Sequence, residues 1–189
     1  MVKIFPFIFI LLWSSAFITT KPIIDNSDPF AALAFRFALV AFGFLIFAIY
    51  SKEKILVNRK NFFESFFSGV LFHGLYLGGV FFSISKGMPT GIAALIVTLQ
   101  PILTNALSGP ILNEKVSRKQ WVGVLLGFFG AALVLGYDIG SNIPLIGLVA
   151  TIIALIAITS STIWQKKLSN NLPLSVSNMY QALGGVDFH

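Results

Sequence analysis

The stretch SFFSGVLFHGLYLGGVFFSIS, residues 65–85, contains no Asp, Glu, Lys or Arg. A helix rising 1.5 Å per residue needs about 20 apolar residues to cross a hydrocarbon layer of about 30 Å, and this stretch has that length. Six further stretches are free of charge: Ile4–Thr20, Phe37–Ser51, Gly87–Asn113, Gln120–Tyr137, Ile139–Gln165 and Leu168–Val186. Most of them have this length, and Phe37–Ser51 reaches it once it is extended back to Pro29 across Arg36. The short alternating segments of outer-membrane β-strands are absent. We therefore predict membrane-spanning helices along the whole chain.

The composition agrees with a protein that faces lipid. Of the 189 residues, 56% are hydrophobic and only 11% are charged, whereas a soluble domain carries about 25% charged residues. So few charges also exclude a disordered chain. The absence of cysteine excludes disulfides, thiolate metal ligands and a cysteine nucleophile. We predict an all-α integral membrane protein, a polytopic helical bundle whose main partner is the lipid bilayer.

The loop charges predict the orientation of this bundle. We expect helices at residues 4–22, 29–50, 63–85, 88–112, 120–137 and 143–165, and a seventh that starts near Pro173. Ten basic residues lie before the first helix and in alternate loops: Lys3, Lys52, Lys54, Arg59, Lys60, Lys115, Arg118, Lys119, Lys166 and Lys167. Only Lys21 and Lys86 lie on the other side. The positive-inside rule then places the N-terminus in the cytoplasm. The net charge of +6 thus reflects orientation, and no nucleic-acid partner is predicted, since such a site needs one continuous basic surface.

The first helix has a second interpretation. Lys3, the apolar run Ile4–Trp13 and the small residues Ser14-Ser15-Ala16 have the pattern of a signal peptide. Removing this helix would break the alternation of loop charges along the rest of the chain. We therefore retain it as the first membrane span.

A short pattern occurs twice in the chain, at a shift of 146 residues. The matched positions are Ser14-Ser15 and Lys21 with Ser160-Ser161 and Lys167, and, after a gap of two residues, Pro29 with Pro173. If the repeating unit has five helices, the second copy must insert upside-down relative to the first. Inverted repeats of this kind are common in secondary transporters. We predict a first five-helix repeat at residues 1–137 and the start of an inverted second repeat at residues 138–189.

Several short motifs follow one another in the first repeat. They are Trp13-Ser14-Ser15-Ala16-Phe17-Ile18 with Lys21, Pro29, Arg36-Phe37, Gly91-Ile-Ala-Ala-Leu, Pro101, Thr104, Glu114, Gln120, Gly123, Gly127, Gly130 and Gly136. In this order and spacing they resemble the first half of an EamA-type member of the drug/metabolite transporter superfamily, over about residues 4–137. Pro173 and Tyr180-Gln181 fit the opening of the second half.

The resemblance implies ten helices, five plus five inverted, in a bacterial inner membrane. It implies export or import of small metabolites or drugs by alternating access, with no cofactor. A proton is one candidate for the coupling ion. The chain ends at His189, inside the seventh predicted helix, so we expect a chain cut short within its second repeat. The alternative function is a non-transporting membrane fragment or assembly module that needs a missing second half or pairs as a homodimer.

Arg36 is the one full charge inside a hydrophobic run. It lies roughly 10 Å in from the outer end of the second helix, where a charge usually faces a cavity or a partner. One interpretation is attraction of a substrate carboxylate or phosphate. The other is an arginine that extends outward to the membrane surface.

Polar side chains in the third and fourth helices are further candidates for the substrate pathway. His73 and Tyr76, three residues apart, are expected to share a helix face, and a histidine can shuttle protons at physiological pH. Gln100, Thr104 and Asn105 cluster beside Pro101. This proline removes a backbone hydrogen bond, and helices broken in this way often form transporter sites. For each group the alternative is polar packing between helices.

The remaining candidates lie in the first, third and fifth helices. Trp13 and Ser14 face either the pathway or a neighbouring helix. Helix packing is predicted for the glycines Gly74, Gly78, Gly123, Gly127 and Gly130, since small residues let helices approach closely. The chain has no Gly-x-Ser-x-Gly elbow, His-Glu-x-x-His pair or Walker-A loop. No enzyme activity and no metal site are therefore predicted.

Overall fold

The computed structural model describes residues 5–112, 117–135, 143–168 and 172–189. Every regular element in these ranges is a helix. They are α1 (Phe5–Asn26), α2 (Pro29–Tyr50), α3 (Arg59–Gly69), a π-helical segment (Val70–Gly78), α4 (Gly79–Ser85), α5 (Thr90–Val97), α6 (Gln100–Leu112), α7 (Arg118–Leu135), α8 (Leu145–Leu168) and α9 (Leu174–Phe188). The boundary between the two predicted repeats, at residues 137 and 138, lies outside the described residues.

Local sequence signals set where α2 and α3 begin. The side chain of Asp28 accepts hydrogen bonds from the backbone N–H groups of Phe30, at 3.0 Å, and Ala31, at 2.8 Å. Pro29 follows in the first helical position, where its missing N–H has no cost. Asn58 caps α3 in the same way, accepting from the N–H of Asn61 at 2.8 Å. Such caps satisfy donors that have no partner inside the helix.

The ends of α2 and α4 are built alike. After α4, the N–H of Met88 donates to the carbonyl of Ser83 at 3.1 Å and that of Gly87 donates to Ile84 at 3.0 Å. This is the Schellman arrangement, and it requires a left-handed residue, which is Gly87, with φ +88°. Lys52 takes the corresponding position after α2, with φ 55°.

The third predicted span is one continuous helical rod from Arg59 to Ser85, with a π-helical middle. Its bonds change there from the α pattern to the wider i→i+5 pattern, which is frequent at functional sites. The rod begins at Arg59, one turn before the start expected at residue 63, because Asn58 caps it there. Helix α1 also extends beyond its expected end at residue 22, continuing one turn past Pro22 to Asn26.

Helix α8 forms the centre of the bundle. It packs against the π-helical segment, α4, α5 and α6. The main apolar core contains Tyr76 and Val80 from the rod, Val97 from α5 and Ala154 from α8. A buried polar contact joins the same elements, since Ser83 Oγ donates to the Gly147 carbonyl at 2.8 Å.

Helix α9 packs against α2, α3 and the π-helical segment. A Cβ atom at Gly69 would overlap the carbonyl oxygen of Gln181, and one at Gly184 would overlap that of Phe66. Glycine at both positions therefore lets the two backbones touch.

The direction of α9 follows from its contacts at each end. Near its start, Tyr180 Oη donates to the Ile55 carbonyl at 3.0 Å, and Ser175 donates to the carboxylate of Glu53. Beyond its last turn, the ring of His189 lies 5.6 Å from that of Phe30. Helix α9 thus runs antiparallel to α2.

Four helical stretches in the described residues are long and apolar enough to cross a membrane: Pro29–Tyr50, Arg59–Ser85, Thr90–Leu107 and Leu145–Lys166. Large apolar side chains also cover the outer surface of the bundle, among them Leu39, Phe42 and Ile156. A surface of this kind is stable in lipid and unfavourable in water. The protein is a multi-pass, all-α membrane bundle, and the fold class expected from the sequence is confirmed.

Candidate functional site

The helix that spans Thr90 to Leu112 is interrupted between α5 and α6. Pro101 has no N–H, so the carbonyl of Val97 receives no α-helical bond from it. Two residues, Thr98 and Leu99, separate the helices, and the N–H of Leu99 donates at 3.1 Å to the carbonyl of Ile96, only three residues back. The proline thus produces the break at which the sequence predicts a pathway site.

Gln100, the first residue after this break, links α6 to α8. Its Nε2 donates to Thr104 Oγ1 at 2.9 Å and to Thr162 Oγ1 at 3.2 Å. Asn105 is half-buried on the same helix, whereas Pro101 is exposed. The structure therefore brings Gln100 and Thr104 together and adds Thr162, which sequence reasoning did not select.

His73 and Tyr76 lie in the π-helical segment and face different neighbours. Tyr76 is 2% exposed, within the core formed with α5 and α8. The His73 ring lies 4.3 Å from that of Phe37 on α2, and its backbone carbonyl lies 3.1 Å from His189 Nε2. The shared face expected for an α-helix is not observed, because a π-helix has more residues per turn.

Arg36 lies on α2 with its side chain exposed. In the described part of the chain no carboxylate lies within 4 Å of its guanidinium. Its charge acts electrostatically on both His73 and Tyr76. Arg36 thus belongs to the surroundings of these two side chains, and both roles considered for it remain open.

A groove of about 360 Å³ lies between α1 and α5. It is lined by Ile18, Lys21, Thr90, Gly91 and Ala94, none of which the sequence selected as a pathway residue. The available signals were that Lys21 is one of two basic residues on its side of the membrane and that Gly91-Ile-Ala-Ala-Leu is a motif. The groove lies between the first and fourth predicted spans.

The two pathway candidates in helix α1 are Trp13 and Ser14. Ser14 Oγ donates to the carbonyl of Ile10 in the same helix, so its hydroxyl is satisfied locally. The side chain of Trp13 lies outside the described residues. Ser14 is not among the described residues that line the groove.

The predicted packing glycines fall into two groups. A Cβ atom at Gly74 would come within 2.6 Å of the Phe188 ring, and one at Gly78 would come within 2.6 Å of His189 Cε1. At Gly123, Gly127 and Gly130 no described atom lies within 4 Å of such a Cβ. Helix packing by these three glycines of α7 stays a prediction.

A buried chain of hydroxyl and amide groups crosses α8 and α9. Gln165 Nε2 donates to Gln181 Oε1 at 2.9 Å and to Ser161 Oγ at 3.3 Å. Ser161 Oγ lies 3.1 Å from Ser68 Oγ on α3, and Gln181 Nε2 donates to Ser177 Oγ at 3.0 Å. Polar residues four apart, at 161 and 165 and at 177 and 181, are the sequence signal for this chain.

These features describe a helical membrane protein with a groove between two spans, one of which is broken by proline. Helices interrupted in this way are found in membrane transporters. In the described residues no three His, Asp or Glu side chains lie close enough together to hold a metal ion. Residues 3–136 match the EamA-like transporter family, and the chain belongs to this family. The resemblance drawn from the motifs is thereby confirmed.

Several relatives are named as transporters. The chain is 26% identical to a probable amino-acid metabolite efflux pump of Salmonella typhimurium, over 87% of this chain and 53% of the relative. It is 25% identical to the Escherichia coli protein of the same name, over 86% and 52% of the two chains. Protein PecM of Dickeya dadantii is 28% identical over 87% and 53%. The chain thus spans about half the length of these relatives. No solved structure matches it.

Proposed function

We propose that this protein is a secondary transporter of small metabolites or drugs, without enzymatic activity, that works by alternating access in a bacterial inner membrane. The match of residues 3–136 to the EamA-like transporter family carries the proposal. The names of the Salmonella typhimurium and Escherichia coli relatives favour efflux of amino-acid metabolites. Lipid and a small solute are then the partners of the chain.

The arrangement of α2 and α9 supports two inverted repeats. Pro29 and Pro173, which correspond in the sequence repeat, lie at the starts of these two helices, Pro29 as the first residue of α2 and Pro173 just before α9. The helices run antiparallel, as two copies of one unit must if the second inserts upside-down. In this proposal α1 to α7 form the first repeat, and α8 and α9 begin the second. Motion between the repeats would open the groove and the α5–α6 break alternately to each side.

The N-terminus is proposed to be cytoplasmic. Helix α9 then starts at the cytoplasmic surface, beside Glu53 and Ile55, and ends near the outer end of α2. Lys21 and the groove lie toward the outer side. His73 and Arg36 lie between, and His73 is the residue that we propose for transfer of a coupling proton.

Reconstitution in liposomes tests this function. The purified chain is inserted into vesicles, and uptake and efflux of a broad panel of radiolabelled metabolites are measured with and without a pH gradient. We expect saturable transport of at least one solute. Arg36→Ala should lower the rate of this transport, and His73→Ala should weaken its dependence on pH. No transport of any solute would contradict the proposal, and unchanged kinetics in both variants would remove these residues from the pathway.

A second candidate function is a membrane module that transports only together with a partner. The open Gly123-x3-Gly127 face of α7 favours it, since no described atom covers these glycines and small residues promote helix association in membranes. Counting of subunits by single-molecule photobleaching in the same liposomes separates the two. Transport only in vesicles that hold two or more chains supports the module.

A further inference from the structure

Among the described residues that line the groove between α1 and α5, Lys21 is the one that carries a charge. In the described residues no carboxylate lies within 4 Å of it, and Asp25, one turn further along α1, is also unpaired. A lysine that lines a concave surface without an acidic partner leaves its charge available to a ligand. We propose that the groove binds the carboxylate of a small soluble molecule and that Lys21 is its anchor. This inference rests on the proposed transport function, because it names the substrate group that the pathway recognises.

Donors from α5 add to the charge of Lys21. Thr90 and Gly91 are the first two residues of this helix, and Pro89 before them provides no side-chain cap. Their N–H groups have no acceptor within the helix, and both residues line the groove. An oxyanion placed there would receive hydrogen bonds from α5 and an ion pair from α1.

An acceptor lies on the opposite wall. Pro22 has no N–H to donate to the carbonyl of Ile18, four residues before it in α1. Ile18 lines the groove, and its carbonyl lacks this α-helical hydrogen bond. The Ile18 and Ala94 side chains are apolar, and Gly91 has no side chain to close the space. The groove thus suits a short ligand with a carboxylate, a nearby donor and an apolar body.

The volume fits a ligand of that size. Pockets for small molecules usually measure about 300–1,000 Å³, and the groove, at about 360 Å³, lies at the lower limit of this range. This volume matches the size of a small metabolite. We therefore expect short carboxylates to bind before bulky compounds do.

Binding measurements in detergent micelles without phospholipid test the inference independently of transport. Isocaproate and isoamylamine, which share an apolar body but differ in charge, are titrated by NMR into the purified chain. We expect isocaproate to bind and isoamylamine not to bind. Lys21→Met should weaken isocaproate binding at least about tenfold, because an ion-assisted hydrogen bond is lost. Lys21→Arg should restore most of the affinity.

Lys86→Met is the matched control, since Lys86 is the other lysine predicted for the same side and lies over the Phe82 ring, 5.3 Å away, outside the groove. It should leave binding unchanged. Equal binding of the two probes, or full affinity in Lys21→Met, would overturn the inference. So would competitive displacement of isocaproate by phosphatidylglycerol, since Lys21 would then hold a lipid headgroup. Binding without transport would contradict only the proposed function, and carboxylate transport unaffected by Lys21→Met would contradict only the groove.

Discussion

Gly87 and Lys52 occupy equivalent positions just beyond α4 and α2, both with positive φ. Side chains are strained in this conformation because the Cβ approaches the following carbonyl. At Gly87 the absence of a Cβ removes this strain, and the chain can turn directly from α4 into α5. At Lys52 the chain accepts the strain, in a loop with space for a long side chain.

Gly87→Ala should lower the free energy of unfolding by about 1 kcal/mol or more. Gly43→Ala is the matched control, since Gly43 lies inside α2, has no described atom within 4 Å of an added Cβ and should gain about 0.5–1 kcal/mol from helix propensity. Thermal unfolding of both variants in detergent measures the difference. A Gly87→Ala protein as stable as Gly43→Ala would show that the left-handed turn is unimportant.

At the scale of single elements, sequence patterns predicted where the helices lie better than they predicted which helices touch each other. The break before Pro101 follows from a missing N–H, a covalent property of that residue. The neighbours of His73 and Tyr76 could not be predicted, because the π-helical winding between them depends on how the rod packs against α8 and α9. The sequence placed Lys21 near a membrane surface. It could not place Lys21 in a groove, because the opposite wall of the groove belongs to α5, a distant part of the chain.

Gly69→Ala should displace α9 from α3. Its Cβ would overlap the carbonyl oxygen of Gln181, and overpacking against backbone costs about 1–3 kcal/mol or more. Because α9 also holds the loop of residues 51–58 through Tyr180 and Ile55, that loop should loosen. We expect faster trypsin cleavage after Lys54 than in the wild-type protein.

Gly127→Ala is the control for this experiment, because no described atom lies within 4 Å of its added Cβ. Cleavage after Lys54 should be unchanged in this variant. Equal cleavage rates in Gly69→Ala and the wild-type protein would show that α9 does not depend on close backbone contact at Gly69. Faster cleavage in Gly127→Ala would indicate that α7 has a partner surface in the membrane.

At the scale of the whole molecule, the charge distribution predicts one orientation in the membrane. The chain has no cysteine, so single cysteines can be introduced and labelled without background. Ser27→Cys, between α1 and α2, should react with a membrane-impermeant maleimide in intact cells. Leu56→Cys, in the exposed loop between α2 and α3, should react only after permeabilisation. The reverse pattern would contradict a cytoplasmic N-terminus.

The sequence by itself determined that this protein lies in a membrane, that its elements are helices, where most of these begin, and which transporter family it belongs to. The membrane location and the helices depend on local free energies, the cost of moving charges out of water and the hydrogen bonds of each backbone segment. The family follows from the order and spacing of the motifs. Only the tertiary structure decided that Gly69 touches α9 while no described atom lies within 4 Å of a Cβ at Gly127, and that Lys21 lines a groove with Thr90. Such pairings depend on the shapes of two surfaces distant in the chain, and neither segment contains that information alone.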